Sequence, residues 1–154
     1  MPDVGKKAPA FTLQNQDGAK VKLSDFLGRK VVLFAYPKAA TSGCTTQACG
    51  FRDAYAEVEA AGAVVLGLSP DPVARLQRWR EKENFPYDLL SDPDHAVLAR
   101  YGAWGEKKMY GKTYEGVIRS HWVIDEKGKL GDQHLKVSPK DSVARAVAFL
   151  KGED

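Results

Sequence analysis

Two stretches constrain most of what this chain can become. "KVVLFAY" (30–36) and "AVVLGLS" (63–69) are continuous apolar runs of strand length, without the polar alternation of a strand that faces water on one side. Such strands are covered on both faces. Between them, from about Thr45 to Ala60, the residues Ala48, Phe51, Tyr55 and Val58 recur every three or four positions, and Gly62 closes the segment. Strand, helix and strand in that order predict a parallel βαβ unit within a sheet.

The rest of the chain extends the pattern. Asp71-Pro72 and Ser138-Pro139 each set a capping side chain before a proline suited to the first helical position. They predict helices running to about Asn84 and through "SPKDSVARAVAFLKG". A shorter helix is expected after Asp92-Pro93, along "DHAVLARYG". "YDLLSD", "GVIRSHWVID" and "KLGDQHLKV" read as strands, the last two joined at "EKGK" by a hairpin turn. Residues 102–116, "GAWGEKKMYGKTYEG", fit neither period and are expected to form a long loop. The 154 residues suit a single domain, predicted to be α/β, with a central mixed sheet flanked by helices on both faces.

Composition narrows the function classes. A net charge of +3, with basic and acidic residues interleaved, gives no ground for a nucleic-acid partner. The basic, aromatic-bearing "WGEKKMYGKTY" is read as a loop near a site rather than as a nucleic-acid surface. "MPDVGKKAPAFTL" lacks the apolar core of an export signal, and no run approaches the roughly 18 apolar residues of a membrane span. A cytoplasmic protein with no membrane partner is expected. In a reducing compartment, two cysteines are expected to be catalytic, redox-active or metal-binding rather than a permanent staple.

Those two, Cys44 and Cys49, stand together in "YPKAATSGCTTQACGFRD". Cys44 falls where the first buried strand hands over to a helix. A thiol at a helix N-terminus meets unpaired N–H groups and the positive end of the dipole, a setting that lowers cysteine pKa values from about 8.5 into the range of roughly 3.5–7.5. Cys49 follows five residues later, so an intact helix separates the pair by about 7.5 Å of rise. Disulfides rarely tolerate Cα atoms more than about 7 Å apart, so bridging requires the first turn or so to unwind. Zinc is set aside: C-x4-C is uncommon among zinc ligands and the chain holds no H-x3–5-H.

"PKAATSGC" (37–44) resembles the P-x-x-x-T/S-x-x-C active-site motif of peroxiredoxins. "TTQACGFRD" after it is similar to the bacterioferritin comigratory protein, or PrxQ-type, branch, which carries a second cysteine at this distance. The likeness runs from "VGKKAPAFTLQNQDGAKVKLSDFLGRKVVLFAYPKA" through "LLSDPDHAVLARYGAWGEKKMYGKTYEGVIRSHWVID". The resemblance implies a thioredoxin-like fold and thiol-dependent reduction of hydroperoxides, with neither metal nor organic cofactor. By the same resemblance Cys44 is the peroxidatic cysteine and Cys49 the resolving one. Thr41 and Pro37 complete the motif, Arg119 of "IRSHWVID" is the pocket arginine, and thioredoxin or a similar dithiol is the reductant. Thr41 is expected to hold the peroxide with its hydroxyl, and Pro37 to shield the sulfur from water. Both thiols lie in one chain, which favours a monomer.

Several positions depart from the family pattern. Ser42 replaces a proline, Ala40 an acid, and Gln47 a glutamate, so the tether on Arg119 is expected to be neutral and weaker. His121 and Trp122 stand in place of Thr and Phe and are expected to change the pocket wall. Two other classes compete with a peroxidase: a redox-sensing regulator reading peroxide through the same disulfide, and a thiol–disulfide oxidoreductase. The absence of any CxxC weighs against the latter.

Overall fold

A computed structural model describes residues 2–152. The two apolar runs become β3 (Lys30–Ala35) and β4 (Ala63–Ser69), paired in parallel. In front of them lie β1 (Thr12–Gln14), β2 (Lys20–Lys22) and a 3-10 turn (Leu23–Phe26). After β3 come α1 (Ser42–Asp53) and α2 (Tyr55–Ala60); after β4 come α3 (Val73–Glu83), β5 (Asp88–Ser91) and α4 (Ala96–Arg100). The chain continues through β6 (Trp104–Met109), β7 (Lys112–Val117), β8 (Ser120–Ile124), β9 (Leu130–His134) and α5 (Pro139–Leu150). Seven strands form one mixed sheet in the order β2-β1-β5-β4-β3-β8-β9, while β6 and β7 pair with each other.

The strand period sorts the core into two layers. Val31, Leu33 and Ala35 turn to one side of β3, with Trp122 and Ile124 of β8 and Val97 and Leu98 of α4. Val32, Phe34 and Tyr36 turn to the other, against Cys44, Ala48 and Phe51 of α1, Val58 of α2, Leu76 and Trp79 of α3, and Ala146 and Leu150 of α5. Helices therefore cover both faces of this thioredoxin-like sheet, four on one side and one on the other.

The structure departs from expectation in four places. The helix expected from Thr45 to Ala60 begins at Ser42 and breaks at Ala54 (φ −93°, ψ 4°). Asp71 does not cap α3: Pro72 holds the N-cap position, and the Asp71 carboxylate is used elsewhere. Ser138 does cap α5, accepting from the Asp141 N–H at 3.3 Å. "GVIRSHWVID" is no single strand, because residues 118–119 interrupt it and place Arg119 in the link between β7 and β8. Residues 102–116 are largely a β-hairpin, turning at Tyr110 and Gly111 with φ of 52° and 76°. Left-handed values at both central residues are what a tight hairpin turn requires. Its strands are rich in Lys, Glu and Gly and β7 is exposed over most of its length, so no hydrophobic alternation betrays it. His95 is half-buried at the N-cap of α4, its ring stacked 3.8 Å from that of Trp104.

Candidate active site

β3 carries the chain through the centre of the molecule and releases it at Tyr36, beneath the helical layer. Half-buried Pro37 opens the connecting loop. The loop is pinned at Ala39, whose N–H donates to the buried Asp71 carboxylate at 2.7 Å. Asp71 also accepts from the Ser69 hydroxyl at 2.9 Å and from Arg75 at 3.1 Å, and its own carbonyl accepts from the Ser91 hydroxyl at 2.6 Å. The ends of β4 and β5 thus hold the loop in place. Ala40 takes φ 67°, a left-handed conformation that costs a residue with a Cβ roughly 1–2 kcal/mol.

Thr41 then occupies the N-cap position of α1 with extended backbone, and its carbonyl accepts the Thr45 N–H at 2.9 Å. Its side chain does not cap. The hydroxyl donates back to the Lys38 carbonyl at 2.8 Å, which leaves its lone pairs pointing outward as acceptors. Cys44 is the third residue of α1, within the first turn whose N–H groups lack helical partners. Its side chain is fully buried.

Arg119 reaches this turn from across the sheet. One guanidinium nitrogen, Nη2, donates to Cys44 Sγ at 3.4 Å, and Nη1 donates to Gln47 Oε1 at 2.8 Å. Gln47 sits one turn after Cys44 on the buried side of α1. Its Nε2 donates to Ser142 Oγ of α5 at 3.0 Å, and the same hydroxyl lies 2.8 Å from Nδ1 of buried His121. Burial first, then the neighbouring His134 and Arg145, push the His121 pKa down to about 3, so the imidazole is neutral at ordinary pH. Gly43 makes room for this arrangement: a Cβ there would stand 3.1 Å from Arg119 Nη2. The neutral tether expected at Gln47 is therefore present, and it is itself fixed by a hydrogen bond.

Cys49 has other surroundings. It is half-buried near the C-terminal end of α3, where its thiol donates to Glu83 Oε1 at 3.8 Å. Burial pushes this thiol up; the Arg52 cation opposes the shift, and the Glu83 and Asp53 carboxylates reinforce it. Arg52 ties the two helices by donating to the Glu83 carbonyl at 2.7 Å. Both sulfurs are free, on one unbroken helix.

The structure thus brings Cys44 and Arg119 together, sets Thr41 and Pro37 in the loop just before them, and leaves Cys49 apart. His121 meets Ser142, whereas Trp122 belongs to the opposite core layer and donates to Gln133 Oε1 at 3.0 Å, so it is not a wall of this site. Sequence reading missed Asp71 as the anchor of the loop and Ser142 as the support of Gln47. Both act across more than thirty residues of chain and leave no local signature. Beside Arg119 lies an open basic cleft of about 740 Å³, lined by Glu106, Lys107, Lys108, Ile118, Arg119 and Lys136. Among the described residues no helix is long and apolar enough to cross a membrane.

A cysteine in the first turn of the helix that follows a central parallel strand, faced by an arginine from the antiparallel half of the sheet, defines a thioredoxin-like thiol protein. The AhpC/TSA family pattern matches residues 4–133. The chain belongs to that family and, within it, to the bacterioferritin comigratory protein (PrxQ-type) branch of the peroxiredoxins. Escherichia coli K12 peroxiredoxin Bcp is 50% identical over 126 residues, covering 82% of this chain and 81% of the relative. The Xanthomonas campestris bacterioferritin comigratory protein, described with alkyl peroxide reduction activity, matches with a TM-score of 0.90 and 30% identity over 97% of this chain and 98% of that one. The Mycobacterium tuberculosis peroxidoxin BcpB matches with a TM-score of 0.88 and 35% identity over 100% and 99% of the two chains.

Proposed function

We propose that this peroxiredoxin reduces hydrogen peroxide and organic hydroperoxides through Cys44, resolves the product with Cys49 and is reset by thioredoxin or a similar dithiol. The observation that carries this reading is the guanidinium of Arg119 held between Cys44 Sγ at 3.4 Å and Gln47 Oε1 at 2.8 Å. A fixed cation at the reacting sulfur lowers the barrier where charge develops, without having to reorganise.

Cys44, as thiolate, attacks one peroxide oxygen; the S–O bond forms as the O–O bond breaks, and the departing alkoxide or hydroxide leaves as alcohol or water after taking a proton. The sulfur is then a sulfenic acid. Arg119 and the free N–H groups of the first turn of α1 stabilise the negative charge on the departing oxygen. Thr41 accepts a hydrogen bond from the peroxide while its own O–H keeps donating to the Lys38 carbonyl. The complete burial of Cys44 means that the loop from Pro37 to Thr41, or the guanidinium, has to give way as substrate enters. The basic cleft next to Arg119 has room for an organic substituent.

Cys49 then attacks the Cys44 sulfur, water leaves, and a disulfide forms that an external dithiol reduces by exchange. Because both residues lie on α1, this step requires residues between them to leave the helix. The test uses two variants. Cys44→Ser should abolish peroxide consumption. Cys49→Ser should retain a single stoichiometric oxidation and lose recycling by thioredoxin. An active Cys44→Ser, or steady turnover of Cys49→Ser with thioredoxin, would overturn the assignment. A redox sensor, by contrast, would oxidise but not cycle rapidly with thioredoxin and its reductase.

A further inference from the structure

We propose that His121, Asp132 and His134 form a binding site for a divalent transition-metal ion, zinc above all, where the β8–β9 ladder meets α5. The register sets His121 directly across from His134, so both imidazoles stand on the same face of the sheet. Their ring centroids are 5.0 Å apart. Asp132 lies two residues before His134 on β9, and its Oδ2 is 3.1 Å from His134 Nε2. One nitrogen of each ring and one carboxylate oxygen of Asp132 all fall within 4.8 Å of one another.

His121 supplies the observation that points to a ligand. The residue is fully buried, its Nδ1 is engaged by Ser142 Oγ at 2.8 Å, and its Nε2 has no hydrogen-bond partner. A buried imidazole with one nitrogen held by a hydroxyl and the other unpaired, close to a second imidazole and a carboxylate, has the layout of a ligand with its supporting hydrogen bond. Two histidines and a carboxylate are a donor set that zinc accepts, with a fourth position left for water. Donor atoms around tetrahedral zinc stand roughly 3.3 Å apart, so Asp132 and His134 are already close enough and His121 needs to close on them by up to about 1.5 Å. Metal on Nε2 places the His121 proton on Nδ1, where it donates to Ser142, and Ser142 already accepts from Gln47. Binding therefore leaves the Gln47 tether oriented as it is.

The ion would enter from the His134 side. Asp132 and His134 are partly exposed there, beside a shallow cavity of about 230 Å³ whose lining includes His134, Lys136, Ser138, Asp141 and Arg145. Lys136 and Arg145 oppose a cation, but both are exposed and free to turn into solvent, and Asp141 on the same rim offsets them. No zinc-like spacing marks the site in the sequence, because its ligands come from two strands paired side by side in the sheet.

The test is a titration of the full-length, tag-free chain with both cysteines replaced by serine, so that thiolates do not compete for the metal. Zinc is followed by calorimetry and cobalt by visible absorption. One zinc equivalent should bind. His134→Ala and Asp132→Asn should each weaken binding at least tenfold, Arg145→Ala should tighten it, and His95→Ala should leave it unchanged. Should the serine background fold poorly, imidazole nitrogen NMR of the reduced wild-type chain gives the same answer. Zinc should shift the signals of His121 and His134 and spare that of His95. The absence of stoichiometric binding, binding that survives His134→Ala, or unmoved His121 and His134 signals would overturn the proposal. These readouts are metal affinity and spectra, so they stand or fall independently of the chemistry proposed at Cys44.

Discussion

α1 carries two thiols in opposite settings. Cys44, in the first turn, is fully buried and faces a guanidinium; Cys49, a turn and a half later, is half-buried and faces the Glu83 carboxylate. Residue type and helix are the same, so place along the helix and the neighbouring side chains distinguish them. A cation at the sulfur favours attack on an electrophile, whereas burial, with the Glu83 carboxylate reinforcing it, pushes the pKa of the second thiol up. The proposed division of labour rests on side chains supplied by α3 and the β7–β8 link and also on place along the helix, since only Cys44 lies among the free N–H groups of the first turn.

The comparison can be broken most severely at Arg119. Arg119→Met keeps bulk and removes the charge, and the second-order rate of peroxide reaction in stopped flow should fall by about 100- to 1,000-fold. An unchanged rate would remove the guanidinium from the mechanism. Gly43→Ala is a gentler intrusion, because its Cβ would meet Arg119 Nη2 at 3.1 Å and push the guanidinium aside. A loss of about tenfold in the same rate is expected, with disulfide closure unaffected.

At the other thiol, the raised Cys49 pKa fixes the sign of a pH effect. Burial and the Glu83 carboxylate keep it protonated near neutrality, against the pull of Arg52. Disulfide closure, the slower phase after oxidation, should therefore accelerate as pH rises, by about tenfold per unit until the thiol ionises. Glu83→Gln removes one of the raising charges, so closure should become a few-fold faster at pH 7 while the oxidation phase stays the same. Equal changes in both phases would erase the distinction between the thiols. The smallest effect concerns stability alone. Ala40 holds φ 67°, and Ala40→Gly should stabilise the fold by about 1 kcal/mol, read as a rise of about 2–4 °C in Tm.

The buried strands β3 and β4 were legible because both faces of each are covered, which leaves a continuous apolar run as their trace. α5 was legible from its Ser138 cap and Pro139. Thr41, Pro37 and Arg119 were singled out by resemblance to a family rather than by any spacing, whereas Cys44 was also marked by its place where a buried strand hands over to a helix. What escaped was nonlocal or solvent-facing. The β6–β7 hairpin buries Val117 but little of the rest of β7 and turns on Tyr110-Gly111 instead of a stronger turn pair. Asp71 looked like a cap because it precedes a proline, yet its carboxylate serves Ala39, thirty-two residues upstream. Ser142 joins Gln47 to His121 across ninety-five and twenty-one residues, a link that exists only once α1, α5 and β8 have met.

Gly50 follows Cys49 directly, and a Cβ on it would sit 2.7 Å from Val143 of α5. Only a bare backbone fits there, so the far half of α1 is clamped shut against its neighbour. The disulfide proposed between Cys44 and Cys49 would open the turns from Ser42 to Cys49, up to the edge of this close approach. That opening would draw Cys44, Gln47 and Ala48 out of the buried layer, so each return to the dithiol form would be a small act of refolding.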